Sequence, residues 1–204
     1  MRGWAWAACG AGAAVIAVAA LGALVLLRGG ISARATPSEL ESRAARALRR
    51  WAIPAEARAA PNPIPSSARA LEEGLAHFAD HCATCHGNDG SGQTAIGRNL
   101  YPRAPDMRRP ETQALTDGEL FFVIENGVRL TGMPAWGGPD TAEGSWELVR
   151  FVRHLPSLTT GEKARMEALN PKSPDEWRAL EEEDAYLHGD SPAPRERGHG
   201  SHSH

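Results

Sequence analysis

The stretch DHCATCHGND, residues 80–89, sets Cys82, Cys85 and His86 within five positions. Two thiols three apart, with an imidazole directly after the second, admit three chemistries: a zinc site, thiol exchange and covalent haem attachment. Each makes a different demand on the rest of the chain. A structural zinc site needs four ligands, and no cysteine follows Cys85. A set completed by a remote histidine could be built, but His86, adjacent to Cys85, is poorly placed to share one tetrahedron with it. A redox pair normally follows a strand and opens a helix. Here the preceding residues have helical spacing (Leu71, Leu75, Phe78) and the following ones form a Gly-rich loop.

Haem meets the spacing. Two thioether bonds to vinyl groups on one edge of the porphyrin fix Cys82 and Cys85. His86 is then turned under the ring, where its imidazole can bind iron. The C-x-x-C-H pattern is the attachment signature. One covalent haem c on Cys82 and Cys85, with His86 as an iron ligand, is the expectation.

The bulk composition excludes little else. The 204 residues carry 22 basic and 25 acidic side chains, for a net charge of −3, so no nucleic-acid partner is expected. Three cysteines in such a chain make no disulfide scaffold. Arginines crowd residues 28–58, and Glu181, Glu182, Glu183 and Asp184 form an acidic run that could dock a basic partner or simply face water.

From Trp4 to Leu27 there is no charged residue. A helix of that length reaches about 36 Å, enough for a hydrocarbon core of ~30 Å. Residues 1–28 are therefore expected to be a single transmembrane anchor. The alternative is a signal peptide cut after Ala33-Arg34-Ala35, although the apolar stretch exceeds the ~7–15 residues of a typical signal core. Counting Arg2 against Arg28 and Arg34, the positive-inside rule would put the remainder in the cytoplasm.

Downstream, the TPSE stretch at 36–39 reads as a helix start with Thr36 as cap and Pro37 in the first turn. Leu40, Ala44, Leu48 and Trp51 then share one face, so residues 29–65 should hold an amphipathic helix followed by a Pro-rich connector (Pro54, Pro61, Pro63, Pro65). That helix could lie on a membrane surface or on the next domain. A helix bearing Leu71, Leu75 and Phe78 leads into Cys82. TDGE at 116–119 is a capping box, with the helix stopped by Gly127. A last core helix from Glu143 to Leu155 turns Trp146, Val149, Val152 and Leu155 inward. No alternating strand of any length occurs. The fold class is thus all-α, three to four helices with long loops over residues 66–156, followed by a helical extension at 157–188 and a low-complexity tail at 189–204. Loops this long inside a compact domain are tolerable only around a large apolar cofactor. In the tail, His199, His202 and His204 could bind a transition metal weakly.

With these features, residues 66–156 resemble a class I c-type cytochrome, in particular a membrane-anchored bacterial monohaem protein. The resemblance rests on the helix before CATCH, the NGVRLTGMPAW loop and the aromatic closing helix. It implies that Gly74 and Phe78 cross the last helix at Phe151. It also implies a distal methionine in the loop before that helix, which is Met133, between Gly132 and Pro134. Met107 is the other methionine of the domain, and His77, His81 and His154 are rival ligands that read more simply as helix-surface residues. A proline carbonyl, of Pro102 or Pro105, should hold the His86 ring, and Tyr101, Arg103 and Trp136 could reach the propionates. Since haem is attached to such motifs outside the cytoplasm, the resemblance sets the domain in the periplasm, against the arginine count.

The expected function is single-electron transfer between redox partner proteins in a respiratory chain. No catalytic constellation stands out, so the chain is expected to be an electron carrier and not an enzyme. The alternatives are a haem subunit of a larger oxidoreductase and a ligand-binding haem sensor. For localisation, a single-pass inner-membrane protein is expected, or a soluble periplasmic one after cleavage near Ala35.

Overall fold

The computed structural model describes residues 2–29 and 32–172, together with 178, 182 and 185–187. The helices are α1 (Arg2–Gly29), α2 (Glu39–Ala52), α3 (Ala55–Ala59), α4 (Ala68–His77), α5 (Ala83–His86), α6 (Pro110–Gln113), α7 (Asp117–Asn126), α8 (Ala142–His154) and α9 (Thr160–Leu169). Among the described residues there is no strand. The all-α expectation holds.

The core is the crossing of α4 and α8. Leu75, Phe78, Leu148, Val149, Phe151 and Val152 are buried there, and burial of each such side chain contributes about 1.5–3 kcal/mol. The Phe78 and Phe151 rings lie 5.2 Å apart in a tilted pair. Gly74 permits the crossing: a Cβ there would run into the Glu147 carbonyl oxygen and lie 3.0 Å from Cβ of Phe151. The helix α7 packs beside them, with Phe121 stacked on Trp146 at 4.0 Å. It begins with a capping box between Thr116 and Glu119, and Gly127 ends it at φ 64°.

Three expectations change. Helix α2 starts at Glu39, capped by Ser38, whose hydroxyl accepts from the Glu41 amide at 3.2 Å. Pro37 precedes the cap, and Thr36 takes no part in it. The reason is local: Ser38 offers a cap hydroxyl with Glu39 and Glu41 in the first turn, where carboxylates complement the helix dipole.

Secondly, the Pro-rich connector does more than join two parts. It contains α3 and lies against the domain. Ile53 is buried, the Asn62 amide donates to the Trp146 carbonyl at 3.0 Å, and Arg150 donates to the Ile64 carbonyl at 2.9 Å. Gly118 lets α3 and α7 touch backbone to backbone, since a Cβ would strike the Ala57 carbonyl. Arg50 and the buried Glu119 lie 4.0 Å apart. With its polar side thus turned to the domain, α2 leaves its apolar stripe outside: Leu40 is 79%, Leu48 64% and Trp51 82% exposed.

Thirdly, the segment after Pro156 completes the core. In α9, Met166 is fully buried, Arg165 pairs with Glu72 of α4 at 2.7 Å, and Glu162 meets His154 at 2.8 Å.

The expected transmembrane segment forms one helix, α1, whose Val15, Ile16, Val18 and Leu21 are exposed. Among the described residues no helix is long and apolar enough to cross a membrane, so the fold lends the transmembrane expectation no support. Trp177, Leu180, the acidic run apart from Glu182, and the tail histidines lie outside the described residues.

Candidate haem site

Helix α4 does not run straight into the cysteines. After His77 it widens into a π-helical turn, Phe78–Cys82, before α5 resumes. A π turn inserts a residue into the helical ladder and is common at functional sites. Phe78 and Ala79 within it are buried against the core, whereas Cys82 is half-buried beside them. The motif helix α5 is four residues long, and Gly87, at φ 74°, turns the chain away immediately after His86. Nothing in the sequence announced the π turn.

The two motif cysteines are not bonded to each other. Burial, with Cys85 nearby, pushes the Cys82 thiol up to about 12, so it carries no thiolate at neutral pH. That argues against an exchange-active pair, which depends on a lowered thiol pKa. His86 is buried, and burial lowers its pKa to about 4, with the Pro105 carbonyl working the other way. The ring is therefore neutral at working pH, the form that binds metal. Its Nδ1 is buried without a hydrogen bond of good geometry, and Pro105 is the proline set against it.

The loop holding Pro105 is tightly fixed. Asp106 accepts from the Arg108 guanidinium at 2.8 Å, and these hydrogen bonds lower its pKa to about 2. The Gly92 amide donates to the His86 carbonyl at 2.7 Å, and the Thr94 hydroxyl donates to the Cys85 carbonyl at 3.1 Å. Gly97 passes so close to Cys85 that a Cβ would meet its carbonyl.

Met133 lies on the loop between α7 and α8. Its carbonyl accepts from the Val128 amide at 3.1 Å and its amide donates to the Thr131 hydroxyl at 3.1 Å. The loop is tied back to α7 by the Trp136 amide, which donates to the Ile124 carbonyl at 3.0 Å. Two contacts bring it to the motif: Gly132 abuts the Leu100 side chain, and the Trp136 ring meets His81 edge-on at 5.2 Å. Met133 is half-buried yet outside the core cluster, whereas Met107 packs against that cluster. Among the rival ligands, His154 faces Glu162 and His77 pairs with His81 at 5.0 Å. Of the residues expected at the propionates, Tyr101 donates instead to Glu41 of α2.

A buried neutral imidazole whose Nδ1 has no hydrogen-bond partner, two half-buried thiols beside it and a thioether-bearing loop fit a haem. They do not form a cluster of His, Cys, Asp and Glu suited to a bare metal ion, of which there is none among the described residues.

A family model described as cytochrome c oxidase, cbb3-type, subunit III matches residues 69–152, from within α4 to near the end of α8. Residues 69–152 form a class I c-type cytochrome domain. The match takes in the motif, the Pro105 loop and Met133, and less than half of the chain. Such a domain is an electron carrier that works through haem c. In this cytochrome domain the α4–α8 crossing is the frame, and the His81–Trp136 contact joins the segment just before Cys82 to the Met133 loop. No curated protein matches the chain.

Proposed function

We propose that this is a monohaem cytochrome c, held at the inner membrane with its haem domain in the periplasm, that passes single electrons between redox partner proteins. The haem would be bonded through Cys82 and Cys85, with iron between His86 and Met133. The observation that carries the reading is the buried, neutral His86 directly after the paired thiols. When bound, the haem supplies a one-electron couple whose potential is raised by Met/His ligation.

The chain's own residues do the rest. The Pro105 carbonyl is set against the His86 ring and would hold its Nδ1, and the Asp106–Arg108 pair fixes the adjoining loop. Thr131 and Val128 fix the backbone of Met133. A preset ligand pair reorganises little when the iron changes charge, which favours rapid exchange and leaves no open position for a substrate. The membrane attachment rests on the uncharged stretch from Trp4 to Leu27.

The deciding experiment is the optical spectrum of the reduced protein before and after carbon monoxide. An unchanged spectrum is expected, since both axial positions are filled. A shifted Soret band would overturn the carrier reading in favour of a ligand-binding sensor.

A second reading is favoured by the family description, which names an oxidase subunit. On it, the domain feeds electrons inside a larger complex. Purification from membranes as a stable assembly with other haem-bearing chains would select that reading, and recovery as a single chain would reject it.

A further inference from the structure

We propose that the outward face of α2 rests on an anionic lipid surface, with Leu40, Leu48 and Trp51 in the headgroup boundary and neighbouring arginines on lipid phosphates. At 3.6 residues per turn Leu40, Ala44, Ala47, Leu48 and Trp51 share one face, and all five are exposed. A single exposed leucine is ordinary, but an aligned apolar stripe ending in a tryptophan marks an interaction surface. The stripe cannot be relieved by rolling α2 over. Its other side is engaged through half-buried Arg49, the Arg50–Glu119 pair and the Tyr101–Glu41 bond, and Ile53 directly after it is buried.

Charge selects the occupant. Arg43 and Arg46 are exposed alongside the stripe. The two acidic residues of the helix are occupied, Glu39 by Arg43 at 3.9 Å and Glu41 by Tyr101. Leucine and tryptophan on one face with arginine beside them is the composition of helices that lie in the plane of an anionic membrane. The inference deepens the membrane attachment proposed above and rests on it only for bringing α2 near a bilayer.

The test uses the full-length, haem-loaded protein carrying Cys9→Ala and Ala44→Cys, with a nitroxide attached at position 44 and the haem reduced. Vesicles of phosphatidylglycerol with phosphatidylcholine are compared with phosphatidylcholine alone, by flotation and by access of the nitroxide to a soluble nickel chelate. In anionic vesicles the access should fall several-fold relative to detergent micelles, and Arg43→Gln with Arg46→Gln should restore much of it. Protein that floats with both vesicles while the nitroxide stays open to nickel overturns the α2 contact, gives the stripe to a protein partner and leaves the α1 attachment standing. Flotation on anionic vesicles alone, with the nitroxide protected, supports α2 and removes α1 as the anchor. No flotation on either overturns both.

Discussion

Gly74 of α4 presses on the backbone of Glu147 in α8 so closely that a side chain at position 74 has nowhere to go. In an exposed helix Gly→Ala would stabilise by up to about 1 kcal/mol. Here the sign reverses. Gly74→Ala should destabilise by about 1–3 kcal/mol, the usual cost of overpacking, and Gly74→Val by more, measured by denaturant unfolding of the haem-loaded protein. A neutral or stabilising Gly74→Ala would mean the helices cross elsewhere.

The two methionines of the cytochrome domain should separate cleanly. Met133→Ala is expected to open the distal position, so that the reduced protein binds carbon monoxide and its potential falls, because the thioether that raises it is gone. Met107→Ala should leave spectrum and potential alone and cost about 2 kcal/mol, near the low end for methionine truncation because the side chain is only half-buried. Exchange of these two outcomes would make Met107 the ligand.

Asp106 sets an acid limit. Its folded pKa, about 2, lies below its ordinary value, chiefly through the Arg108 hydrogen bonds. A carboxylate lowered on folding adds stability above its unfolded pKa and loses it as pH falls towards the folded one. The contribution should therefore be complete above roughly pH 4 and decline towards about pH 2. Asp106→Asn should flatten that part of a stability profile. An unchanged acid slope would mean the Arg108 contact does not persist in solution.

Met166 tests whether α9 belongs to the domain. It is fully buried, and Met166→Ala should cost about 2–5 kcal/mol. A cost under about 0.5 kcal/mol, ordinary for a surface site, would return α9 to the status of an appendage.

The inward residues of α8, the capping box at Thr116 and the haem motif were legible because each follows a short-range rule: a period, a cap or a spacing. The Gly74–Phe78–Phe151 crossing came through the family resemblance and the structure bears it out. What escaped depends on distant partners. The apolar stripe of α2 left a membrane surface and the next domain equally open; the domain took Arg49's side because Glu119, seventy residues away in sequence, lies there beside the arginines. Met166 looked peripheral because its burial in the core cluster depends on elements far away in sequence and leaves no mark on the residues around it. The π turn escaped because local composition does not distinguish hydrogen bonds spanning four residues from bonds spanning five.

The docking of residues 53–64 carries a kinetic consequence. A redox group on a slack leash samples a volume and meets partners of many heights. Here the Asn62–Trp146, Arg150–Ile64 and Arg50–Glu119 contacts tie α2 and the segment after it to the cytochrome domain, so on the proposed reading whatever holds α2 would set the altitude and tilt of the haem edge. Partners would then have to present their own redox centres at that level, and reach would be exchanged for a fixed angle of approach.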